Sequence, residues 1–511
     1  MVYPDPPVSQ VPASTGSGRP PRGGGLAQLR EHNRAAVLRL LLDRGPRTRS
    51  DLARLLGLSQ PAVTYITAQL LRDGLIEEGG PAAPAGGRGR HGVPLRLAPG
   101  ARCAAAVHIG ATGVDVGLVD LRAAPLAHAT FRIDHGAWGA DPAGLVAAAA
   151  RQLRALLERA GISESLLLGA GVGVAGSVDG ERGIVRRHAQ LGWRDVPLAS
   201  ALGQALALPV VLDEHVRSMA LAEAWFGQAR QADSFAFLYV GAVLGCSVGV
   251  GRHVHRGHTA AAGEIGALPA WPLDAGGASE PGRSGGGEPP AATGGGQGGP
   301  GELRATSTSA GLAEAPPLPG PSGTPPFASQ PSAAVTAGAS LEATVSEPAL
   351  LREARMLAER APGSLVAWWV AANSAGRNRS SDALATRLAA CGMADDPALA
   401  LLQRRAVRLA PFIAHVVATY DPEVFVFSGP IAWDAVGVQL RLLREAVAAH
   451  APALADRLPA FVPSAFGTRA ALVGAAALVL QEVYLPPLAS HQGHVAGSVA
   501  GAIRRRAGPP K

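Results

Sequence analysis

The sequence is poor in cysteine: it has three among 511 residues, and Cys103, Cys246 and Cys391 stand far apart. This spacing contains no CxxC pair, so it excludes a disulfide framework and favours reduced, buried thiols. The N-terminus lacks the apolar segment that a secretory signal needs. The longest uncharged run, residues 234–251, is broken by glycine and serine, which predicts two buried strands rather than a membrane span. We therefore expect a cytoplasmic protein without a membrane partner.

Glycine and proline are abundant instead, with 65 and 42 residues, and the formal net charge is +7. Much of the glycine and proline lies in residues 1–24 and 272–346, for which we predict no regular secondary structure. The positive charge favours a polyanionic partner, although arginine-rich and alanine-rich composition is also typical of GC-rich genomes. A chain of this length is expected to divide into several domains.

Residues 25–98 form a compact basic segment with the pattern of three helices. Val37, Leu40 and Leu41 lie at helical spacing in the first helix. The second helix is predicted to begin with Ser50 as its N-cap, and the third with Ser59. A tight turn between two helices this close in sequence is typical of a helix-turn-helix.

The third of these helices has two different faces. An apolar stripe of Val63, Ile66 and Leu70 predicts the buried side. Polar side chains near the start of a recognition helix reach base edges in the major groove. Residues 75–76 and 93–97 predict the strands of a β-hairpin wing. The predicted DNA contacts are Ser59, Gln60, Thr64, Tyr65 and, at the tip of the wing, Arg88 and Arg90. The alternative is a small three-helix domain that binds protein and leaves the arginines solvated.

From residue 101 onward, short Val, Ile and Leu runs alternate with helical stretches, as in an α/β fold. A winged helix followed by HIGATGVDVGLVD, GAGVGVAGSVDGERGIV, LGWRDVPLASALGQALALPVVLDEHVRSMALAEAWFG and AAGEIGALP resembles the ROK family, especially its xylose-operon repressor branch. The resemblance implies a two-lobe α/β body of the actin/hexokinase type. We expect this body in residues 101–271 and 347–485, interrupted by the low-complexity insert 272–346 and followed by a C-terminal tail, 486–511.

Comparison with the kinases of that family shows where their phosphate chemistry has changed. His108 stands at the carboxylate of their first phosphate loop, and Glu214 and His215 stand at their catalytic Asn-Asp pair. Their glycine-rich second loop reads VLGCS here, residues 243–247. An imidazole does not replace a carboxylate that faces Mg²⁺, and side chains in the second loop obstruct phosphate. We therefore expect no ATP or Mg²⁺ binding and no enzymatic activity; the alternative is an active sugar kinase with His215 as its base.

The zinc site that the resemblance implies is missing its ligands. Ala267 replaces the histidine of the AGEIGH motif, and no cysteine follows before residue 346, so a tetrahedral site cannot form by this route. We therefore expect no cofactor. The matching residues of the family's sugar pocket indicate a candidate ligand site comprising Glu264, Glu214, His215 and Ser177. Two alternatives stay open: a cleft that binds nothing, and a Glu214–His215 pair that only stabilises a helix N-terminus.

These observations predict a DNA-binding transcriptional regulator whose partner is a double-stranded DNA operator and which is nucleoid-associated when bound. We expect a repressor, with an activator as the alternative. A sugar or sugar derivative in the cleft is the expected effector. We expect a homodimer or higher homo-oligomer, because two winged helices at a set distance engage both half-sites of an operator. The alternative is a ligand-independent DNA-binding dimer.

Overall fold

Three helices and a small sheet form the N-terminal part of the chain. The elements are α1 (Leu26–Arg44), β1 (Arg47–Thr48), α2 (Arg49–Leu56), α3 (Gln60–Arg72), β2 (Ile76–Glu78) and β3 (Pro94–Leu97). The middle strand, β3, pairs antiparallel with both β1 and β2. The β2–β3 pair confirms the two strands predicted for the wing.

The computed structural model describes residues 26–79, 92–111, 113–133, 142–270, 339–375, 380–485 and 494–508. The predicted N-terminal tail 1–24, nearly all of the insert and the wing-tip residues Arg88 and Arg90 lie outside the described residues. Across the described ranges, no helix combines the length and the apolar composition needed to cross a bilayer.

A capping box at Thr48 starts α2 earlier than predicted. The Thr48 side chain accepts a hydrogen bond from the amide of Asp51, and the Thr48 amide donates to the Asp51 carboxylate. Our prediction of Ser50 as the N-cap is therefore wrong, because the reciprocal pair satisfies two free amides where a lone serine would satisfy one. The predicted cap of α3 is confirmed, since the Ser59 side chain accepts from the amide of Ala62.

The first of two five-stranded sheets follows the winged helix. Its strands are β4 (Cys103–Ile109), β5 (Gly113–Asp120), β6 (Pro125–Arg132), β7 (Leu167–Val174) and β11 (Val210–Glu214), in the order β11-β7-β4-β5-β6. The β4–β5 and β5–β6 pairs are antiparallel, whereas β4–β7 and β7–β11 are parallel. A small antiparallel sheet of β8 (Ser177–Asp179), β9 (Ile184–His188) and β10 (Trp193–Val196) lies between β7 and β11 in sequence.

The second five-stranded sheet repeats the topology of the first. Its strands are β12 (Ser234–Val240), β13 (Leu244–Val250), β14 (His253–Val254), β15 (Val424–Ser428) and β16 (Ala460–Pro463), in the order β14-β13-β12-β15-β16. The first three strands pair antiparallel, and β15 and β16 then add in parallel. The β12–β13 hairpin confirms the pair of strands predicted from residues 234–251. Two α/β sheets, which share one strand order, confirm the predicted two-lobe α/β body.

Helices cover both sheets. The α-helices described after α3 are α4 (Pro142–Ala160), α5 (Leu198–Leu206), α6 (His215–Phe226), α7 (Leu341–Val345), α8 (Glu347–Arg360), α9 (Leu365–Ser374), α10 (Ser381–Ala390), α11 (Asp396–Tyr420), α12 (Val438–His450), α13 (Ala470–Tyr484) and α14 (His494–Arg506). Short 3-10 helices occur at Glu164–Leu166, Ile265–Ala267, Pro430–Ala432, Pro452–Arg457 and Gly467–Arg469.

Helix α6 lies between the two sheets. It contacts β7 and β11 of the first sheet, β13 and β14 of the second, and packs along α13. Helix α13 in turn packs so closely on the first sheet that a Cβ atom at Gly171 in β7 would lie 1.8 Å from the carbonyl oxygen of Ala475. This crossing has no room for a side chain, which explains the glycine at position 171.

Two predicted boundaries differ from the structure. Regular structure resumes at Ser340, which caps α7 and forms a bridge with Pro269, so the insert ends earlier than residue 346. The predicted C-terminal tail contains helix α14, whose Ile503 is fully buried beside α13. Val499, Ile503 and Ala507 recur every four residues, which is the apolar period of a helix and was the signal in the sequence.

The cysteine prediction is confirmed for two of the three residues. Cys103 and Cys246 are buried, and burial raises the pKa of both thiols to about 12. Cys391 is exposed, so the prediction of a buried thiol is wrong at that position.

Candidate functional site

The turn between α2 and α3 has the geometry of a helix-turn-helix. Helix α2 ends at Gly57, whose φ of 65° is a left-handed conformation that favours glycine. Only residues 57–59 separate the two helices. Val63, Ile66 and Leu70 of α3 are buried, which confirms the predicted apolar stripe. The opposite face of α3 is therefore directed to solvent.

The residues in and before α3 that are predicted to contact DNA are exposed in the structure. Ser59, Gln60, Thr64 and Tyr65 are all exposed, and Tyr65 retains 50% of its accessible area. The Thr64 hydroxyl donates to the carbonyl of Gln60 at 2.8 Å, and Gln69 Nε2 donates to the Tyr65 hydroxyl at 3.0 Å. Our sequence reasoning missed Gln69, although its spacing of four residues from Tyr65 places the two on the same face.

In the body, Glu214 and His215 stand where β11 ends and α6 begins. The Glu214 side chain caps α6, because its two carboxylate oxygens accept from the amides of Val216 and Arg217, each at 2.9 Å. Burial raises the pKa of the Glu214 carboxyl to about 7, although the Arg217 charge and these amides act in the opposite direction. Glu214 therefore has the helix-stabilising role that the sequence left as an alternative.

His215 contacts His108, so the two histidines at altered kinase positions meet directly. His108 Nε2 and His215 Nδ1 are 3.2 Å apart, and the two ring planes are nearly parallel. On the other side of His108, Nδ1 lies 3.0 Å from Oδ2 of Asp115. His215 Nε2 lies 3.5 Å from Glu214 Oε1. The four side chains form one polar chain from Asp115 to Glu214.

The protonation of this chain follows from its partners. A carboxylate only accepts, so when His108 is a neutral imidazole its proton lies on Nδ1, toward Asp115, and its Nε2 accepts from Nδ1–H of His215. Burial acts to raise the pKa of Asp115, but the hydrogen bond and charge of His108 lower it overall. Burial, followed by the charges of His108 and His188, holds the pKa of His215 well below its usual range. His215 is thus a neutral imidazole at neutral pH.

Tyr239 packs against the polar chain, and Glu342 makes a separate contact with the second phosphate loop. The Tyr239 ring packs edge-on to His215 with the ring centroids 5.5 Å apart. In the second phosphate loop, the amide of Leu244 donates to Glu342 Oε2 at 2.9 Å. A carboxylate therefore already accepts the hydrogen bond of this loop amide. By the resemblance, the same loop contacts phosphate in the kinases. The sequence contained no local signal for this contact, because 98 residues separate its two partners.

The other two candidate ligand residues stand apart from this chain. Ser177 is half-buried at the start of β8, and Glu264 is exposed at the start of a 3-10 helix. Neither side chain hydrogen-bonds to His215 or Glu214 in the described part of the molecule. The segment of Glu264 is nevertheless fastened to α6, because Arg217 Nη1 donates to the carbonyl of Ala260 at 2.7 Å. Arg217 itself is buried and paired with Asp213, which also pairs with Arg256.

The residues present do not fit the metal or nucleotide groups that the resemblance implies. His108 uses both ring nitrogens within the polar chain, and Ala267 has no donor for zinc. Within the described ranges, no three His, Cys, Asp or Glu side chains are grouped as metal ligands would be. The donor chemistry of this site is therefore that of a hydrogen-bonded protein network.

A helix-turn-helix joined to a duplicated two-sheet body, with histidines at the kinase positions, defines the class of this protein. Residues 104–293 and 328–482 match the model of the ROK family, and residues 31–78 match the model of the MarR family. The chain belongs to the ROK family.

Two curated relatives and one solved structure extend the comparison. The chain is 27% identical over 245 residues to the xylose repressor of Caldicellulosiruptor bescii, covering 48% of this chain and 60% of that protein. It is 31% identical over 249 residues to a transcriptional regulator of Mycobacterium bovis, covering 48% and 55%. The chain thus spans 55–60% of the length of these relatives.

The solved structure is that of a ROK family transcriptional regulator described as a homolog of the E. coli MLC protein. It is 18% identical to this chain, with a TM-score of 0.62, and the match covers 94% of this chain and 100% of the other. At this identity the likeness supports the fold alone, and it spans both the helix-turn-helix and the body.

Proposed function

We propose that this protein is a DNA-binding transcriptional repressor that acts as a homodimer or higher homo-oligomer. The observation that carries the proposal is the exposed polar face of α3, which follows a three-residue turn and stands on a buried apolar stripe. A helix of this kind enters the major groove with its N-terminal residues at the base edges. Gln60, Thr64 and Tyr65 are the proposed base contacts, and Ser59 and the wing arginines Arg88 and Arg90 are the proposed backbone contacts.

The first experiment measures binding of the full chain to duplex DNA from around its own coding region, with scrambled competitor and increasing salt. We expect sequence-dependent binding with a steep salt dependence, because phosphate contacts release counterions. Salt-sensitive binding without sequence preference would contradict a specific regulator and leave only a basic surface.

Substitutions in α3 test the proposed contacts. Gln60→Ala and Tyr65→Ala should each weaken binding to the preferred duplex by roughly fivefold or more, since a good base contact contributes about 1 kcal/mol or more. Gln204→Ala and Tyr420→Ala are matched controls, because Gln204 is exposed and Tyr420 retains 51% of its accessible area. Equal effects in controls and α3 variants would refute the assignment.

We further propose that the cleft beside His215 binds a sugar or sugar-derived effector. Support comes from the convergence of His108, Asp115, His215 and Tyr239, since a small-molecule site needs several polar groups at one place. A sugar library should contain a compound that raises the melting temperature of the wild type, because a ligand that binds the folded state stabilises it. The same compound should raise the melting temperature of Tyr239→Phe by less, because that variant lacks the hydroxyl group. A library without any stabilising compound favours the ligand-independent dimer.

We infer that the protein does not transfer phosphoryl groups. Both altered positions are engaged with each other through the His108–His215 hydrogen bond, and Glu342 competes for the Leu244 amide. Catalysis of phosphoryl transfer consists almost entirely of positioning the reactants and stabilising the charge of the transition state. These contacts occupy the groups that would do so. Incubation with ATP and a panel of hexoses should give no sugar phosphate. Turnover by the wild type would revive the kinase alternative, and the double variant His108→Asp, His215→Asp is the informative comparison.

A further inference from the structure

Arg252 joins three parts of the molecule. It lies in the turn between β13 and β14, at one end of the second sheet. Its Nη2 lies 2.5 Å from Oδ1 of Asp43, which is in the last turns of α1. Its guanidinium also lies over the ring of Trp225 at the end of α6, with Cζ 4.6 Å from the ring centroid. The winged helix, α6 and the second sheet therefore meet at this side chain.

The same helix α1 is also attached to the first sheet. Leu38 and Leu41 of α1 are buried in one apolar cluster with residues of α13 and α14. Arg34 Nη2 donates to the carbonyl of Ala507 at 3.3 Å, just beyond α14. Helix α13 is fixed to the first sheet, and its Tyr484 hydroxyl donates to the carbonyl of Leu121. Helix α1 is thus supported by both sheets at once, with Arg252 as its polar link to the second.

Helix α6 connects the contact of Asp43, Arg252 and Trp225, called the joint below, to the polar chain at His215. Its first residue, His215, belongs to the polar chain with His108. The ring of its penultimate residue, Trp225, packs against the guanidinium of Arg252. Twelve helical residues span about 18 Å, and all but the last are buried. A displacement at the His215 end therefore moves the Trp225 end, because a packed helix transmits a shift as a rigid element.

Two hydrogen-bond donors at the joint are left without an acceptor in the described part of the chain. Arg252 Nη1 and Trp225 Nε1 are buried and have no hydrogen-bond partner among the residues that the structure describes. A buried donor without an acceptor destabilises the arrangement that buries it. Opening the joint would expose both donors to water, which offsets part of the loss of the Asp43–Arg252 ion pair.

We infer that Arg252 is a positioning residue of the DNA-binding domain, which it ties to the second sheet while α13 and α14 tie it to the first. A change in the angle between the sheets then alters the support of α1 and the presentation of α3. This inference rests on the proposed function, because it supplies the link between a cleft ligand and DNA affinity.

A double-mutant cycle on the full chain tests the link. His215→Ala perturbs the first turn of α6, and Arg252→Ala removes the joint. Both single variants and the double variant are titrated with the preferred duplex. We expect each single change to alter DNA affinity about fivefold or more, and the effect of His215→Ala to shrink at least about fivefold when Arg252 is already alanine. Arg457→Ala is the matched control, since it removes an exposed ion pair to Asp421.

Hydrogen exchange separates a positioning role from a general loss of stability. In Arg252→Ala the amides of α1 should exchange faster, while those of β4 in the first sheet keep their wild-type rates. Arg252→Lys should restore part of the affinity, because lysine keeps the charge opposite Asp43 but not the planar contact with Trp225. If Arg252→Ala fails to fold, Arg252→Lys and Asp43→Asn take its place in the cycle.

The outcomes are distinct. Additive effects of the two substitutions overturn the inference, and so does unchanged DNA affinity in either single variant. The proposed function still stands in these cases if the wild type binds DNA sequence-specifically. Absence of sequence-specific binding by the wild type overturns the proposed function itself.

Discussion

The polar chain at the start of α6 predicts opposite pH dependence of stability for two neighbouring side chains. The pKa of Glu214 is raised from 4.5 to about 7 by burial, so the folded protein holds this proton more tightly than the unfolded chain. The contribution of Glu214 to stability is therefore present below pH 4.5 and is lost as the pH rises to about 7. The pKa of His215 is lowered by burial, so its contribution is present above pH 6.5 and is lost as the pH falls below that value.

The substitution Glu214→Gln isolates the first effect. It removes the buried carboxyl, so the difference in free energy of unfolding, variant minus wild type, should increase between pH 5 and pH 8 by about 2 to 3 kcal/mol, at 1.36 kcal/mol for each pKa unit. His215→Asn should show the opposite sign, with the difference increasing as the pH falls from 8 to 5. Taking differences from the wild type cancels the groups that titrate equally in both proteins.

Urea unfolding of the three proteins at pH 5, 6, 7 and 8, followed by circular dichroism, measures these differences. A Glu214→Gln difference that stays level across this range refutes a buried carboxyl with a raised pKa. Slopes of the same sign in both variants would contradict the assignment of His215 as a buried neutral imidazole.

Three stability predictions concern contacts that fold the molecule, each measured by urea unfolding. Thr48→Ala should cost about 1 to 2 kcal/mol because it removes the capping box, whereas Ser50→Ala should change stability by less than about 0.5 kcal/mol. Equal effects would contradict the observed start of α2. Ile503→Ala should cost about 2 to 5 kcal/mol, and a negligible cost would show that α14 does not pack. Arg405→Met should cost about 3 to 5 kcal/mol, because it leaves the Glu347 carboxylate without its cationic partner and, among the described residues, with only the hydrogen bonds from Ser381; a neutral result would disprove that pairing.

The helix-turn-helix segment was largely predictable from local sequence. Helix α3 needs only a cap at Ser59, a short turn and an apolar stripe with a period near four residues, and all of these are properties of neighbouring residues. The error at Ser50 has a local cause as well: Thr48 and Asp51 compete for the same cap, and the reciprocal pair satisfies more backbone amides.

The strand order of the body was predictable only through the resemblance. Each sheet combines strands far apart in sequence: β12 pairs with β15, whose residues follow the whole insert. Alternation of apolar residues indicates a strand but does not choose its neighbour, because pairing is decided by how the helices cover the sheet.

The sequence by itself determined that the kinase positions had changed, since a histidine at 108 or 215 is visible without any structure. Only the tertiary structure decided what the changed residues do, because the His108–His215 contact joins side chains 107 positions apart. The Asp43–Arg252 joint likewise spans 209 positions and connects two domains. Local patterns follow from backbone geometry over a few residues, whereas these contacts exist only after two sheets and a helix have packed around them.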